Sequence, residues 1–123
     1  MTDASLQNTP PLIYVLGKAV QLYQLQEGFR TSIDAVLLAA ACQATALKTP
    51  QRVLDMGCGV GAVGLCVLSR VDNVHVTGVD IDPLAIGLAQ DNAHLNGMTE
   101  QTKFMCEDIL TYQVETGARY DHI

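Results

Sequence analysis

Hydrophobic and polar positions follow two different periods in the first part of the chain. Two short apolar runs flank Gly17-Lys18 within IYVLGKAVQLYQ, and this arrangement predicts a β-hairpin. After a loop at residues 28–30, apolar residues recur every three or four positions over residues 32–47. That spacing predicts a helix whose N-cap is Thr31 or Ser32.

From Pro50 onward, short β-type runs alternate with helical ones. Strands are predicted at residues 52–55, 74–80 and 102–106, helices at 62–70 and 82–96, and the start of a fourth strand at 120–123. Asp82 is the expected N-cap of the second helix, and Gly97 is its expected end. On that helix, Asn92 and Asn96 are expected at the surface and at the C-terminal cap. The alternation predicts an α/β fold with a parallel, doubly wound sheet.

The composition fits one ordered domain with an aliphatic core. Of the 123 residues, 49% are hydrophobic, 16% are charged and only 5% are aromatic. We expect residues 1–49 to form an arm, the hairpin and a helix, and residues 50–123 to form the βα units of the same domain. The net charge of −6 argues against a domain that binds nucleic acid mainly through its charge.

No segment of the sequence predicts export or a membrane span. The N-terminus is polar and acidic, unlike a secretory signal. The longest apolar stretch, residues 35–47, contains Gln43 and Thr45 and is shorter than the roughly 20 residues that a bilayer requires. The four cysteines form no Cys-x-x-Cys pair. We therefore expect a cytoplasmic protein with reduced thiols, no metal and no membrane partner.

An acidic residue and three spaced glycines follow the first predicted parallel strand. The segment VLDMGCGVG places Asp55 at the strand end, followed by Gly57, Gly59 and Gly61. Glycine permits positive φ and a close approach of the backbone to a ligand. The next helix begins with free N–H groups that suit a carboxylate or phosphate, whereas Asp55 suits a cation such as an ammonium. An amino-acid moiety carries both charges and fits this combination.

Two alternatives for this segment stay open. One is a tight strand–helix turn that binds no ligand. The other is a dinucleotide site, because Gly59-x-Gly61-x-x-Gly64 matches the dinucleotide fingerprint and would indicate a nicotinamide-dependent oxidoreductase. Asp55 argues against the second alternative, since its carboxylate would repel a pyrophosphate.

Acidic residues also end the second and third predicted parallel strands. Asp80 follows Gly61 by one βα unit, so its carboxylate can accept hydrogen bonds from ribose hydroxyls at the same sheet edge. Asp108 can accept a hydrogen bond from an adenine amino group, and Ile81 and Ile109 can cover the two faces of the ring. For each acid the alternative is an ordinary solvated carboxylate. Three acids at the ends of successive strands form a more specific pattern than any one of them.

Taken together, VLDMGCGVG and VTGVDIDPLAIGLAQDNAHLNG resemble the class I S-adenosylmethionine-dependent methyltransferases. The upstream GFRTSIDAVLLAAA narrows the resemblance to the bacterial tRNA (adenine-N6)-methyltransferase-like, methyltransferase small domain group. The resemblance implies a Rossmann-like fold and S-adenosyl-L-methionine as cofactor. It assigns the methionine part of the cofactor to Asp55 and the glycine loop, ribose to Asp80 and adenine to Asp108. It also implies that Phe29, Arg30 and Thr31 close over the cofactor.

One family motif has no counterpart in this sequence. The family's fourth strand leads into Asn-Pro-Pro and an aromatic residue, which hold the acceptor amino group, and the chain contains no Asn-Pro-Pro. We therefore expect the cofactor-binding part of an incomplete domain, inactive alone and with no catalytic residue. Because of its exposed sheet edge, we expect residues 1–123 alone to be poorly stable or to self-associate as a dimer through that edge. The implied acceptor is an adenine amino group in tRNA. Alternatives are a protein glutamine amide, or a nucleotide-binding module without catalysis.

Overall fold

The structure is a computed structural model that describes residues 10–26, 33–42, 50–114 and 118–123. In chain order its elements are β1 (Leu12–Val15), β2 (Val20–Tyr23), α1 (Ile33–Ala41), β3 (Gln51–Met56), α2 (Ala62–Arg70), β4 (Val74–Asp80), α3 (Pro83–Leu95), a 3₁₀ turn (Thr99–Gln101) and β5 (Thr102–Cys106). The bounds of α2, β4 and β5 are those predicted, and β3 is one residue longer at each end. No helix among the described residues is long and apolar enough to cross a membrane.

The hairpin predicted near the N-terminus is confirmed. Strands β1 and β2 pair antiparallel, with Ile13 opposite Leu22 on the face that packs against the core. In the turn between the strands, Leu16, Gly17 and Lys18 all have positive φ. Successive positive φ values reverse the chain with a twist that matches that of the paired strands.

Helix α1 ends at Ala41, whereas the sequence pattern predicted a helix that continues to residue 47. At this end the guanidinium of Arg70, on α2, donates to the carbonyl of Ala39 at 2.8 Å and also to that of Cys42. A cation is favourable where carbonyl groups end a helix. The predicted N-cap, Thr31 or Ser32, and residues 43–49 lie outside the described residues.

Strands β3, β4 and β5 form a parallel sheet in that order. The register places Val53 beside Val76, and Gly78 beside Phe104. Helices α2 and α3 make the two connections between these strands. The predicted parallel α/β sheet is therefore confirmed in this part of the chain.

The beginning of a fourth strand lies on the edge of β3 that faces away from β4. A parallel bridge joins Val53 to His122. The N–H of Leu54 donates to the carbonyl of His122 at 2.9 Å, and the N–H of Asp121 donates to the carbonyl of Arg52 at 2.7 Å. Strand β3 therefore has a neighbour on both sides. The order of the strands in the sheet reverses at β3, which makes its carboxyl end the topological switch point of the fold.

One buried aliphatic cluster joins the hairpin, the helices and the sheet. Its members are mostly valine, leucine and alanine, and they include Val20, Leu22, Ala39, Val53, Leu65, Val67, Val76, Ala89 and Phe104. Helix α2 lies close against β4 because Gly64 has no side chain: a Cβ there would be 2.7 Å from Cγ1 of Val76.

Two asparagines, one within α3 and one at its C-cap, hold the hairpin against the rest of the fold. Asn92 was predicted at the helix surface, but it is fully buried, and its amide accepts from the N–H of Tyr23 at 2.6 Å and donates to the carbonyl of Tyr23 at 3.0 Å. Asn96, the predicted C-cap, bonds to Gln21 in the same way. The two asparagines reach alternate residues of β2 because the spacings agree: residues four apart on a helix rise by about 6 Å, and residues two apart on a strand rise by about 6.7 Å.

We predict opposite effects of alanine at two helical glycines. Gly64→Ala should destabilise the protein by about 1–3 kcal/mol, because the new methyl group overlaps Val76. Gly87→Ala, in the interior of α3, meets open space and should stabilise by about 0.5–1 kcal/mol. Urea unfolding of both variants measures the difference, and a Gly64→Ala variant as stable as the parent would contradict the packing of α2 on β4.

Candidate functional site

Three glycines in left-handed conformations build the turn between β3 and α2. Gly57, Gly59 and Gly61 have φ values of 81°, 55° and 88°, which cost other residues free energy. The N–H groups of Gly57 and Cys58 donate to the carbonyl of Val79 at 2.7 and 3.0 Å, so the turn is attached to the end of β4. A Cβ at Gly57 or Gly59 would meet only open space. Their backbone conformation therefore requires glycine, and the space beside them is clear for a ligand.

Gly61, together with Gly78 of β4, also allows close packing beneath the turn. A Cβ on Gly61 would be 3.1 Å from the Phe104 ring. A Cβ on Gly78, which lies beside Asp55 in the register, would be 2.6 Å from the same ring and 2.8 Å from Sγ of Cys58. The small Cys58 side chain is thus buried in the space that Gly78 leaves free.

Asp55 ends β3 as a half-buried carboxylate with another carboxylate nearby. Burial and, to a smaller extent, the negative charge of Asp80 raise the pKa of Asp55 to about 6. Burial, followed by the charges of Asp55 and Asp80, raises the pKa of Cys58 to about 12. The Cys58 thiol is therefore protonated at neutral pH and is a poor nucleophile, while the two carboxylates favour a cationic partner.

Asp80 connects the glycine turn with the start of α3. Its Oδ2 accepts from the N–H of Gly59 at 2.9 Å, and its Oδ1 accepts from the N–H of Asp82 at 3.0 Å. Each carboxylate oxygen can accept a further hydrogen bond, so the side chain retains capacity for ligand hydroxyls. Asp82 is the N-cap of α3, as predicted, and accepts from the N–H of Leu84.

Asp108 begins a turn just beyond β5. Its Oδ1 accepts from the N–H of Leu110 at 2.9 Å. Its backbone carbonyl accepts from the N–H of Tyr112, also at 2.9 Å. Ile81 and Ile109, which follow Asp80 and Asp108, are 65% and 43% exposed. Exposed isoleucines at neighbouring strand ends provide an apolar surface that a planar ring can cover.

The structure brings most of the predicted site residues to one edge of the sheet. The ends of β3, β4 and β5 carry Asp55, Gly57, Gly59, Gly61, Asp80, Ile81, Asp108 and Ile109. A hydrogen bond of 3.0 Å from the N–H of Glu107 to the carbonyl of Asp80 joins the last two strand ends. This edge is also the switch point, where open α/β sheets bind ligands. The other predicted residues, Phe29, Arg30 and Thr31, lie outside the described residues.

Sequence reasoning missed the contact of Asn92 with the glycine turn. Its Nδ2 donates to the carbonyl of Val60 at 2.9 Å, in addition to its bonds with Tyr23. The available signal was the position of Asn92 three residues after Ala89 and next to Ala93, both buried on the inner face of α3. A polar residue on a buried helix face requires hydrogen-bond partners.

Comparison with known proteins assigns the chain to a family. A family model described as "Methyltransferase small domain" matches residues 31–123. The tRNA1(Val) (adenine(37)-N6)-methyltransferase of Enterobacter sp. (strain 638) is 33% identical over 95 residues, which are 76% of this chain and 38% of that protein. The protein of the same name from Porphyromonas gingivalis (strain ATCC BAA-308 / W83) is 34% identical over 98 residues, with the same two coverages. The chain therefore spans 38% of the length of these relatives.

Solved structures share the fold. The SAM-dependent methyltransferase from Agrobacterium tumefaciens superposes with a TM-score of 0.62 at 23% identity, over 83% of this chain and 33% of that one. P. horikoshii TYW2, crystallised in complex with MeSAdo, superposes with a TM-score of 0.66 at 18% identity, over 86% of this chain and 39% of that one. The predicted Rossmann-like fold is confirmed. The chain belongs to the methyltransferase small domain family.

Proposed function

We propose that the protein carrying this chain is an S-adenosyl-L-methionine-dependent methyltransferase, and that this chain supplies its cofactor site. One observation carries the proposal: three acidic strand ends and a left-handed glycine turn meet at the switch point of the sheet. Family membership supports it independently. The same edge fits a dinucleotide less well, because Asp55 would face a pyrophosphate.

The donor set fits the cofactor part by part. The Asp55 carboxylate suits the ammonium group, and the glycine turn with the first N–H groups of α2 suits the carboxylate. Asp80 keeps lone pairs for the ribose hydroxyls. Asp108, with Ile81 and Ile109, suits adenine. We carry over Phe29, Arg30 and Thr31 as the segment that covers the bound cofactor.

The work left to these residues is binding and orientation. The cofactor, when bound, supplies a methyl group made electrophilic by its sulfonium. Charged Asp55 and the hydrogen bonds of the turn fix where the amino-acid part lies, and positioning of this kind can provide much of the rate enhancement of a direct transfer. The protonated Cys58 thiol takes no part as a nucleophile.

The acceptor we propose is an adenine amino group in tRNA. The support is that the relatives named above, which match 76% of this chain, are named as tRNA adenine-N6 methyltransferases. A protein glutamine amide is not favoured by these relatives. Incubating the native polypeptide with radiolabelled cofactor and either tRNA or ribosomal protein tests the choice; label in N6-methyladenosine supports the proposal, and label in protein alone contradicts it.

We further propose one incomplete domain that acts in the cytoplasm. The shared core supports the single domain, since hairpin residues such as Leu22 pack in one cluster with Val53 and Phe104 of the sheet. The four cysteines are free, which fits a reducing compartment.

Residues 1–123 should also self-associate through the edge of β3 that residues 121–122 cover only in part. Sedimentation of these residues as a stable monomer would contradict that point.

We predict that the native polypeptide binds S-adenosylhomocysteine and not NAD in calorimetry. Asp80→Ala should weaken this binding by about 1.5–3 kcal/mol, because hydrogen bonds to a charged group are lost. Asp82→Ala is the matched control: it removes the cap of α3 but no proposed ligand contact, and should leave the affinity nearly unchanged. Binding of NAD alone would contradict the proposed function, and an unaltered Asp80→Ala affinity would remove Asp80 from the site.

We predict that cofactor binding weakens as the pH falls below 6. The pKa of Asp55 is raised to about 6, so the free site takes up a proton below that pH and loses its attraction for the ammonium. The affinity for S-adenosylhomocysteine should therefore fall between about pH 7.5 and about pH 5, by up to about tenfold for each pH unit below the pKa.

Two controls isolate Asp55. Adenosine, which has no ammonium, should bind with little change over this range, and Asp55→Asn should abolish most of the pH dependence for S-adenosylhomocysteine. Protonation of Asp55 also affects the stability of the fold. The pKa of Asp55 is about 6 in the folded protein and 3.8 in the unfolded chain, so protonation stabilises the folded state at low pH. This contribution is lost as the pH rises to about 6. An affinity for S-adenosylhomocysteine that does not change with pH would place the ammonium elsewhere.

A further inference from the structure

Asn92 connects the glycine turn with the hairpin through a single buried side chain. It is fully buried, and its Nδ2 donates both to the carbonyl of Val60, within the turn, and to the carbonyl of Tyr23, at the end of β2. Its Oδ1 accepts from the N–H of Tyr23. All three hydrogen bonds fall between 2.6 and 3.0 Å, so both amide N–H groups and one lone pair of Oδ1 are engaged.

Asn96, one helical turn later, provides an internal comparison. It accepts from the N–H of Gln21 at 2.9 Å and donates to the carbonyl of Gln21 at 2.7 Å. Its amide also donates to the carbonyl of Asn92 at 2.7 Å. The two asparagines thus hold successive positions of β2 in the same way, and they differ in the contact of Asn92 with Val60.

The backbone conformation at Val60 depends strongly on hydrogen bonds, because the residues on both sides of Val60 are glycines. A glycine-rich turn loses more conformational entropy on ordering than other sequences do, so its shape depends on the hydrogen bonds that hold it. Asp80 holds the N–H of Gly59 on one side of Val60, and Asn92 holds the Val60 carbonyl itself. A Cβ on the next residue, Gly61, would be 3.5 Å from the Cβ of Ala89, which is on the same helix as Asn92.

We infer that Asn92 is a positioning residue of the cofactor site: it fixes the glycine turn in its binding conformation and couples that turn to β2. The inference rests on the proposed function, because it concerns the same site. Because Asn92 bonds to both the turn and β2, a ligand that orders the turn also restrains β2. Asn92 itself needs no contact with the ligand.

The first test uses the unmodified polypeptide and residue-resolved hydrogen exchange. The N–H of Tyr23 bonds to Asn92, whereas that of Gln21 bonds to Asn96. Saturation with S-adenosylhomocysteine should slow exchange at Tyr23 by about tenfold more than at Gln21, because ordering the turn restrains Asn92 first. Equal protection of the two amides, in a protein that binds the ligand, would overturn the inference.

The second test compares Asn92→Ala with Asn96→Ala. Each variant leaves one residue of β2 without its amide partners, but only Asn92→Ala also releases Val60. At a temperature where circular dichroism shows both variants folded, Asn92→Ala should weaken S-adenosylhomocysteine binding by about tenfold or more, and Asn96→Ala by less than about threefold. Exchange at Gly57 and Gly61 should rise in the first variant only.

The outcomes separate the inference from the proposed function. If the unmodified polypeptide fails to bind S-adenosylhomocysteine, the proposed function is wrong. If it binds and the two variants lose equal affinity, Asn92 has only a structural role and the inference is wrong. Should Asn92→Ala not fold, the exchange comparison between Tyr23 and Gln21 in the unmodified protein decides the question alone.

Discussion

Parallel pairing of β3, β4 and β5 forces the turn after each strand to the same edge of the sheet. Asp55, Asp80 and Asp108 are far apart in sequence, yet this constraint alone brings them together. The addition of residues 121–122 on the opposite side of β3 places the reversal of strand order at Asp55. The position of the site therefore follows from the topology, and the side chains determine which ligand it suits.

The same edge holds features that weaken the fold unless a ligand or a partner offsets them. Three glycines adopt positive φ, a carboxylate is partly buried with its pKa raised to about 6, and two large apolar side chains are exposed beside it. Costs of this kind concentrate at functional sites. The cofactor proposed above would offset these costs: its carboxylate would meet the N–H groups of the glycine turn, its ammonium would meet Asp55, and its adenine ring would cover Ile81 and Ile109.

The sequence alone predicted the parallel elements almost to the residue, because Gly, Pro and Asp mark their ends and the apolar periods are clear. It also grouped Asp55, Asp80 and Asp108, because all three follow predicted strands. It could not predict the partners of Asn92, since a helix pattern can place a polar residue on the inner face but does not show the hairpin, 69 residues away in sequence, that bonds to it. The end of α1 was also missed, because Arg70 is 28 residues from the carbonyl of Cys42.

A crystal structure of the native polypeptide with S-adenosylhomocysteine would show whether this sheet edge holds the cofactor. We expect the ligand's ammonium within hydrogen-bond distance of Asp55, its ribose hydroxyls on Asp80, and its adenine between Ile81 and Ile109 with its amino group towards Asp108. A ligand bound away from the ends of β3, β4 and β5, or bound with its ribose off Asp80, would show that the proposed cofactor site is wrong.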